Sequence, residues 1–138
     1  MIVADASVVL KWILPDEPLR EEADLLRGRH VTGEGPVAAP DLLLYEVANV
    51  LSLRCEEAPS AVEAFGEIGA LGLHLHAFDL PGFGHAIELA HRYGITAYDA
   101  SYVVLAQALR CRLVTADERL LERLKGTPYA IHLKEAAR

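Results

Sequence analysis

Four carboxylates fall where this sequence could do chemistry. Asp5 closes the short apolar run Met1-Ile2-Val3-Ala4, and Asp117 lies two residues beyond the apolar run that ends Val114-Thr115. Asp99 sits in the first turn of the segment after Gly94-Ile95-Thr96-Ala97. Glu46 projects from an apolar helical stripe, between Leu42 and Leu53 on one side and Val50 on the other. A buried, unpaired carboxylate is costly there, so Glu46 needs a reason. Gathered in one cleft, the four could not all stay ionised without a counterion, because like charges raise one another's pKa. A divalent cation removes the conflict. Oxygen ligands with no histidine or cysteine at these positions select magnesium, with manganese as a substitute, over zinc. Such an ion lowers the pKa of water, orients a phosphate oxygen and offsets charge in an in-line displacement, so the chemistry implied is phosphodiester hydrolysis.

Each acid also has a simpler explanation. Asp5, Asp99 and Asp117 all precede or begin a helix, where capping and the helix dipole favour aspartate. Thr115 and Glu118 could form a capping box without Asp117, and Glu46 could merely edge out of an amphipathic helix. The conjunction of four acids at one edge of one sheet is harder to explain as independent caps. Other chemistries find less support. His74 and His76 share one side of an expected strand but have no third zinc ligand nearby. Ser7 lacks a nucleophile elbow, and Gly33 and Gly35 are not followed by the Gly-Lys-Ser/Thr of a phosphate loop. An aspartyl-phosphate mechanism lacks its second acid beside Asp5. Trp12, with Leu10, Ile13 and Leu14 around it, reads as core or as subunit interface.

The elements that must position these acids follow from periodicity. Met1 to Asp5 reads as strand, Ala6 to Leu14 as helix, and Leu19 to Leu26 as a surface helix after the Pro15–Pro18 break. Thr32 to Pro36 is a loop, Val37-Ala38-Ala39 a strand, and Leu42 to Glu57 a helix with Asp41 as N-cap. A helix from Pro59 to Leu71 and a strand from Leu73 to Phe78 precede a helix from Gly82 to Tyr93 that ends at Gly94. Tyr98 to Leu109 is a helix, Arg112 to Thr115 a strand, Glu118 to Leu124 a helix and Tyr129 to Leu133 a closing strand. Strands separated by helices imply crossover connections, hence an α/β fold with a parallel sheet covered on both faces. In such sheets ligands bind beyond the carboxyl ends of the strands, which is where Asp5 and Asp117 fall.

Composition frames this reading. The 138 residues suit a single domain over 1–138 with a full core, 52% being hydrophobic and 24% charged. Asp5 interrupts the apolar opening too early for a signal peptide, and no apolar run is long enough to span a bilayer, so a cytoplasmic protein without a membrane partner is expected. Cys55 and Cys111 lack paired spacing and are expected as reduced thiols. A net charge of −7 opposes nucleic acid binding unless several of the 20 acids converge on cations that reverse the local sign. Among Lys11, Arg54, Arg92, Arg110, Arg112 and Arg119, one or two contacts with phosphate are expected.

Four stretches resemble the motifs of PIN-domain proteins, in family order. They are Asp5-Ala6-Ser7-Val8-Val9-Leu10-Lys11-Trp12, Ala39-Pro40-Asp41-Leu42-Leu43-Leu44-Tyr45-Glu46-Val47-Ala48-Asn49-Val50-Leu51, Tyr98-Asp99-Ala100-Ser101-Tyr102, and Leu113-Val114-Thr115-Ala116-Asp117. The likeness is greatest to VapC-type toxins and extends to the last expected strand. It implies a three-layer α/β/α sandwich with a five-stranded parallel sheet and magnesium- or manganese-dependent endoribonuclease activity. It also implies homodimerisation and inhibition by a cognate antitoxin. By position, Asp5, Glu46 and Asp99 match acids that bind metal directly or through water, and Asp117 matches a more variable fourth acid. Ser7 and Thr115 match polar neighbours of that centre. The Thr32–Pro36 loop has no counterpart in this pattern. The alternatives are a non-catalytic interaction module on the same fold and a stand-alone nuclease outside any toxin–antitoxin pair.

Overall fold

The computed structural model describes all residues, 1–138. The strands are β1 (Ile2–Ala4), β2 (Val37–Pro40), β3 (His74–His76), β4 (Leu113–Thr115) and β5 (Ala130–His132). The helices are α1 (Ala6–Ile13), α2 (Arg20–Val31), α3 (Leu42–Arg54), α4 (Ala58–Leu71), α5 (Leu80–Tyr93), α6 (Ala97–Ala108), α7 (Glu118–Arg123) and α8 (Leu133–Ala136). Every strand pairing is parallel, and the order across the sheet is β3-β2-β1-β4-β5. From β1 the chain steps one way to β2 and β3, then returns to lay β4 on the other side of β1. Right-handed crossovers put helices of the two progressions on opposite faces. In keeping with this, α1 packs with α2, α3 and α4, while α5 packs with α6, which lies on β1 and β2. The reversal leaves a crevice beyond the carboxyl ends of β1 and β4, the place where open parallel sheets bind ligands.

The three central strands are sealed. Val3, Ala4, Val37, Ala38, Ala39, Leu113 and Val114 are fully buried, as strands covered on both faces must be. Trp12 joins this core and donates from Nε1 to Ala23 O at 2.7 Å, so it is core and not interface. His30 ties three elements: its Nδ1 accepts from Val37 N at 3.1 Å and its Nε2 lies 2.9 Å from Leu71 O.

The structure corrects several boundaries. Helix α2 runs to Val31 and not Leu26, because its last turn carries the buried His30. Helix α3 stops at Arg54, three residues before Glu57, with Cys55 extended. Asp41 stands before α3 in a helical conformation and makes no capping bond, so its expected N-cap role is absent. Helix α8, absent from the sequence expectation, follows β5 and starts on the side chain of His132. Both cysteines are free. No helix is long and apolar enough to cross a membrane.

Candidate active site

Asp5 leaves the end of β1 and is the N-cap of α1. Its Oδ1 accepts from Val8 N at 3.3 Å and from the Ser7 hydroxyl. Ser7 Oγ in turn accepts from Ala116 N at 2.9 Å and lies 3.3 Å from Thr115 Oγ1. Thr115 is fully buried and accepts from Asp117 N at 3.0 Å. Ser7 and Thr115 therefore lace the end of β1 to the end of β4 across the crevice. These bonds require that the two strand ends share one edge, which the parallel pairing of β1 and β4 provides.

Asp117 caps α7, its Oδ1 accepting from Arg119 N at 2.8 Å and Leu120 N at 3.1 Å. The alternative capping box of Thr115 and Glu118 does not form, since Thr115 serves Asp117 N instead. Asp99 is not the cap of α6. Thr96 is, accepting from Asp99 N at 3.0 Å, which frees the Asp99 carboxylate from capping. The approach to α6 is not a strand, as a sheet-borne Asp99 would need. A glycine corner at Gly94 (φ 64°) turns the end of α5 into α6, and packing against α5 and the sheet carries Asp99 to the crevice. Glu46, half-buried in the second turn of α3, accepts from the Tyr102 hydroxyl at 2.9 Å.

Electrostatics ties the acids together. Burial raises the Asp5 carboxyl to about 6, against hydrogen bonds from Ser7, Thr115 and Val8 that lower it, and Asp99 adds a further rise. Glu46 is also raised, first by burial, with the Tyr102 bond opposing and the charges of Asp5 and Asp99 reinforcing. Asp99 is raised by burial and by Asp117, while Thr96 lowers it. The Tyr102 phenol is pushed up by burial and by Glu46, so it stays a donor. Asp5, Glu46 and Asp99 thus share one electrostatic neighbourhood, with Asp117 coupled through Asp99. As the side chains lie, no three histidine, cysteine, aspartate or glutamate groups are close enough to grip one ion.

Several basic residues stand away from this neighbourhood. Lys11 is buried against Glu17 at 3.6 Å, and Arg54 reaches the same carboxylate at 2.6 Å. Arg110 and Arg112 line a groove with Met1 before β4, at the opposite end of the strands. Arg92 on α5 and Arg119 on α7 remain exposed, near the motif-bearing segments. Tyr102 is the residue whose contact the sequence did not disclose. Its one signal is the i, i+3 spacing from Asp99 on a buried helix.

A five-stranded, all-parallel α/β sheet with four acids around its switch point defines the class of protein. The PIN domain model matches residues 2–126, and the chain belongs to that family. It is 69% identical over 127 residues to "Ribonuclease VapC9" of Mycobacterium tuberculosis, covering 87% of this chain and 88% of that protein. It is 35% identical over 130 residues to "Ribonuclease VapC3" of Pyrobaculum aerophilum, covering 88% and 93%. Among solved structures, a chain of a toxin–antitoxin complex from Klebsiella pneumoniae superposes with a TM-score of 0.70 at 16% identity, covering 96% of this chain and 98% of that one, a likeness of fold.

Proposed function

We propose that this chain is a divalent-metal-dependent endoribonuclease of the VapC type, a cytoplasmic toxin held in check by a cognate antitoxin. The observation that carries the reading is the convergence of Asp5, Glu46 and Asp99 on one crevice, where burial raises all three, the charge of Asp99 adds to the rise of Asp5, and the charges of Asp5 and Asp99 add to that of Glu46. Buried carboxylates that repel one another are a standing cost unless a cation joins them. The relatives named ribonucleases support RNA as the substrate.

The residues present fit magnesium or manganese. All four donors are carboxylate oxygens, and Glu46 and Asp99 are half-exposed. Asp5, Glu46 and Asp99 would hold the ion, and Asp117 would assist a second ion or orient water. A bound ion of this kind supplies charge neutralisation and a more acidic water at a phosphodiester. The chain itself aligns Asp5 through Ser7 and Val8, fixes the β4 end through Thr115, and presents Asp99 free of capping duty.

Partners are proposed on an exposed apolar face. Tyr45, Phe83, Ile87 and Tyr98 are each more than half exposed around a cavity of about 410 Å³, and apolar patches of this kind mark interaction sites. A second copy of the chain is the occupant proposed there.

The test is cleavage of a labelled RNA by purified protein with magnesium or manganese, and with chelator. Asp5→Asn, which keeps shape and removes charge, should abolish cleavage, and retained activity with unchanged metal dependence overturns the assignment. Thermal melting with and without millimolar manganese separates the enzyme from a non-catalytic module, since a ligand of the native state must raise stability.

A further inference from the structure

Tyr102 is among the largest fully buried side chains, 1% exposed, yet its hydroxyl ends on a carboxylate. A buried phenol needs a hydrogen-bond partner, and a backbone carbonyl would serve. Here the partner is Glu46 Oε1 at 2.9 Å, contributed by a helix 56 residues earlier in the chain. The bond joins α6, which carries Asp99 one turn before Tyr102, to α3, which carries Glu46. No other hydrogen bond within the chain reaches the Glu46 carboxylate. From this geometry we propose that Tyr102 is a positioning residue for the cation site: by occupying Oε1 it fixes the Glu46 carboxylate so that Oε2 is the oxygen offered to a divalent ion.

This rests on the metal reading above and extends it to a residue that touches neither ion nor RNA. The glutamate side chain has three rotatable bonds, and a half-buried one with no partner would sample several orientations. The phenol removes that freedom from one end, while the rigid α6 keeps Tyr102 and Asp99 at a constant spacing. Partners of metal-binding carboxylates and imidazoles act in this way, and losing one costs about 10- to 100-fold in metal affinity.

The experiment is a manganese titration without RNA, read by the electron paramagnetic resonance of free ion, on the full chain. Tyr102→Phe keeps the ring and removes the hydroxyl, and melting in chelator checks that it folds. Manganese binding should weaken about tenfold in Tyr102→Phe, and by under about twofold when the same change is made in Glu46→Gln. A purely structural hydroxyl would weaken binding equally in both backgrounds, and that result overturns the proposal. So does unaltered affinity in Tyr102→Phe. If wild-type protein binds no manganese, the metal reading itself fails, an outcome distinct from wild-type binding that Tyr102→Phe leaves intact. Should Tyr102→Phe not fold, Glu46→Asp withdraws the carboxylate from the phenol by one methylene, and an affinity equal to wild type there overturns the positioning role. In cleavage assays the metal concentration for half-maximal rate should rise in Tyr102→Phe while the rate at saturating metal recovers.

Discussion

Asp5 concentrates the conflict that defines the site. Its carboxyl titrates near 6 in the folded chain against an ordinary value of 3.8, so the native state holds its proton more tightly than the unfolded one. Protonated Asp5 therefore stabilises the metal-free fold at acid pH, and that contribution is lost as pH rises through 6, by up to about 3 kcal/mol between pH 4 and pH 8. Melting in chelator should show a higher midpoint at pH 5 than at pH 7.5. Asp5→Asn should flatten the difference and raise the midpoint at pH 7.5; an identical pH profile in the two proteins would remove Asp5 as its source. The same substitution should erase stabilisation by manganese, gaining stability where function is lost. At this scale the sequence disclosed the acids because two stand where a strand gives way to a helix, a third lies in the first turn of a helix, and the fourth breaks an apolar stripe. It did not disclose which of them cap. Asp117 and Asp5 do, Asp99 does not, and that depends on whether a neighbour such as Thr96 takes the backbone N–H first. Tyr102 stayed silent because a phenol leading into Val103-Val104-Leu105 reads as core, and only the meeting of α3 with α6 gives its hydroxyl a partner.

Elements matter to the site through a few joints. Gly94 ends α5 in the left-handed region at φ 64°, and a Cβ there would meet Arg123 Nη1 at 3.2 Å. Gly94→Ala should cost about 1 to 2 kcal/mol, with Gly94→Asn milder, measured by urea unfolding; an alanine variant as stable as wild type would deny that this corner constrains α6. His30 is a second joint. His30→Phe leaves Val37 N–H and Leu71 C=O without partners and should cost about 2 to 4 kcal/mol, because buried backbone groups left unpaired bear their full desolvation penalty. Little or no loss would mean that water replaces the ring. All five strands and the first seven helices were legible as alternation and 3.6-residue periodicity. Helix α8 was not, since Leu133-Lys134-Glu135-Ala136 is too short to show a period. The route into α6 was misplaced because Gly94-Ile95-Thr96-Ala97 signals a break without telling that helix follows helix. The order of strands across the sheet was not legible, because which strand becomes an edge depends on crossovers between distant elements; what could be read was that the acids at or just beyond the ends of β1 and β4 share one edge of the sheet.

The whole molecule carries a net charge of −7, an awkward balance for a protein that meets RNA. Many of its cations are already engaged: Lys11 and Arg54 on Glu17, Arg20 and Arg27 on Asp24, and Lys125 near Glu122. Arg29 donates to the carbonyls of Ala136 and Ala137. Of the six basic residues near the motifs, Lys11 and Arg54 are thus taken and Arg110 and Arg112 stand at the wrong end of the sheet, which leaves Arg92 and Arg119 as the expected phosphate contacts beside any ion held by the acids. Binding should then release few counterions, because each phosphate neutralised on a single strand contributes a slope of only about −0.7 to log K against log salt. The measurement is fluorescence anisotropy of a labelled single-stranded RNA in manganese across a range of potassium chloride, with Asp99→Asn as the cleavage-deficient chain so that Asp5 stays in place. A slope of about −0.7 to −1.4 is expected for one or two protein–phosphate contacts. Adding Arg119→Ala should weaken binding evenly across sequences and reduce the slope by about one contact, as the loss of a backbone contact does. A slope of about −5 or steeper would show that a broad basic surface, absent from this fold's charge distribution, drives the encounter. Attraction would then come from cations outside the crevice, and the acids would no longer explain how so negative a chain holds RNA.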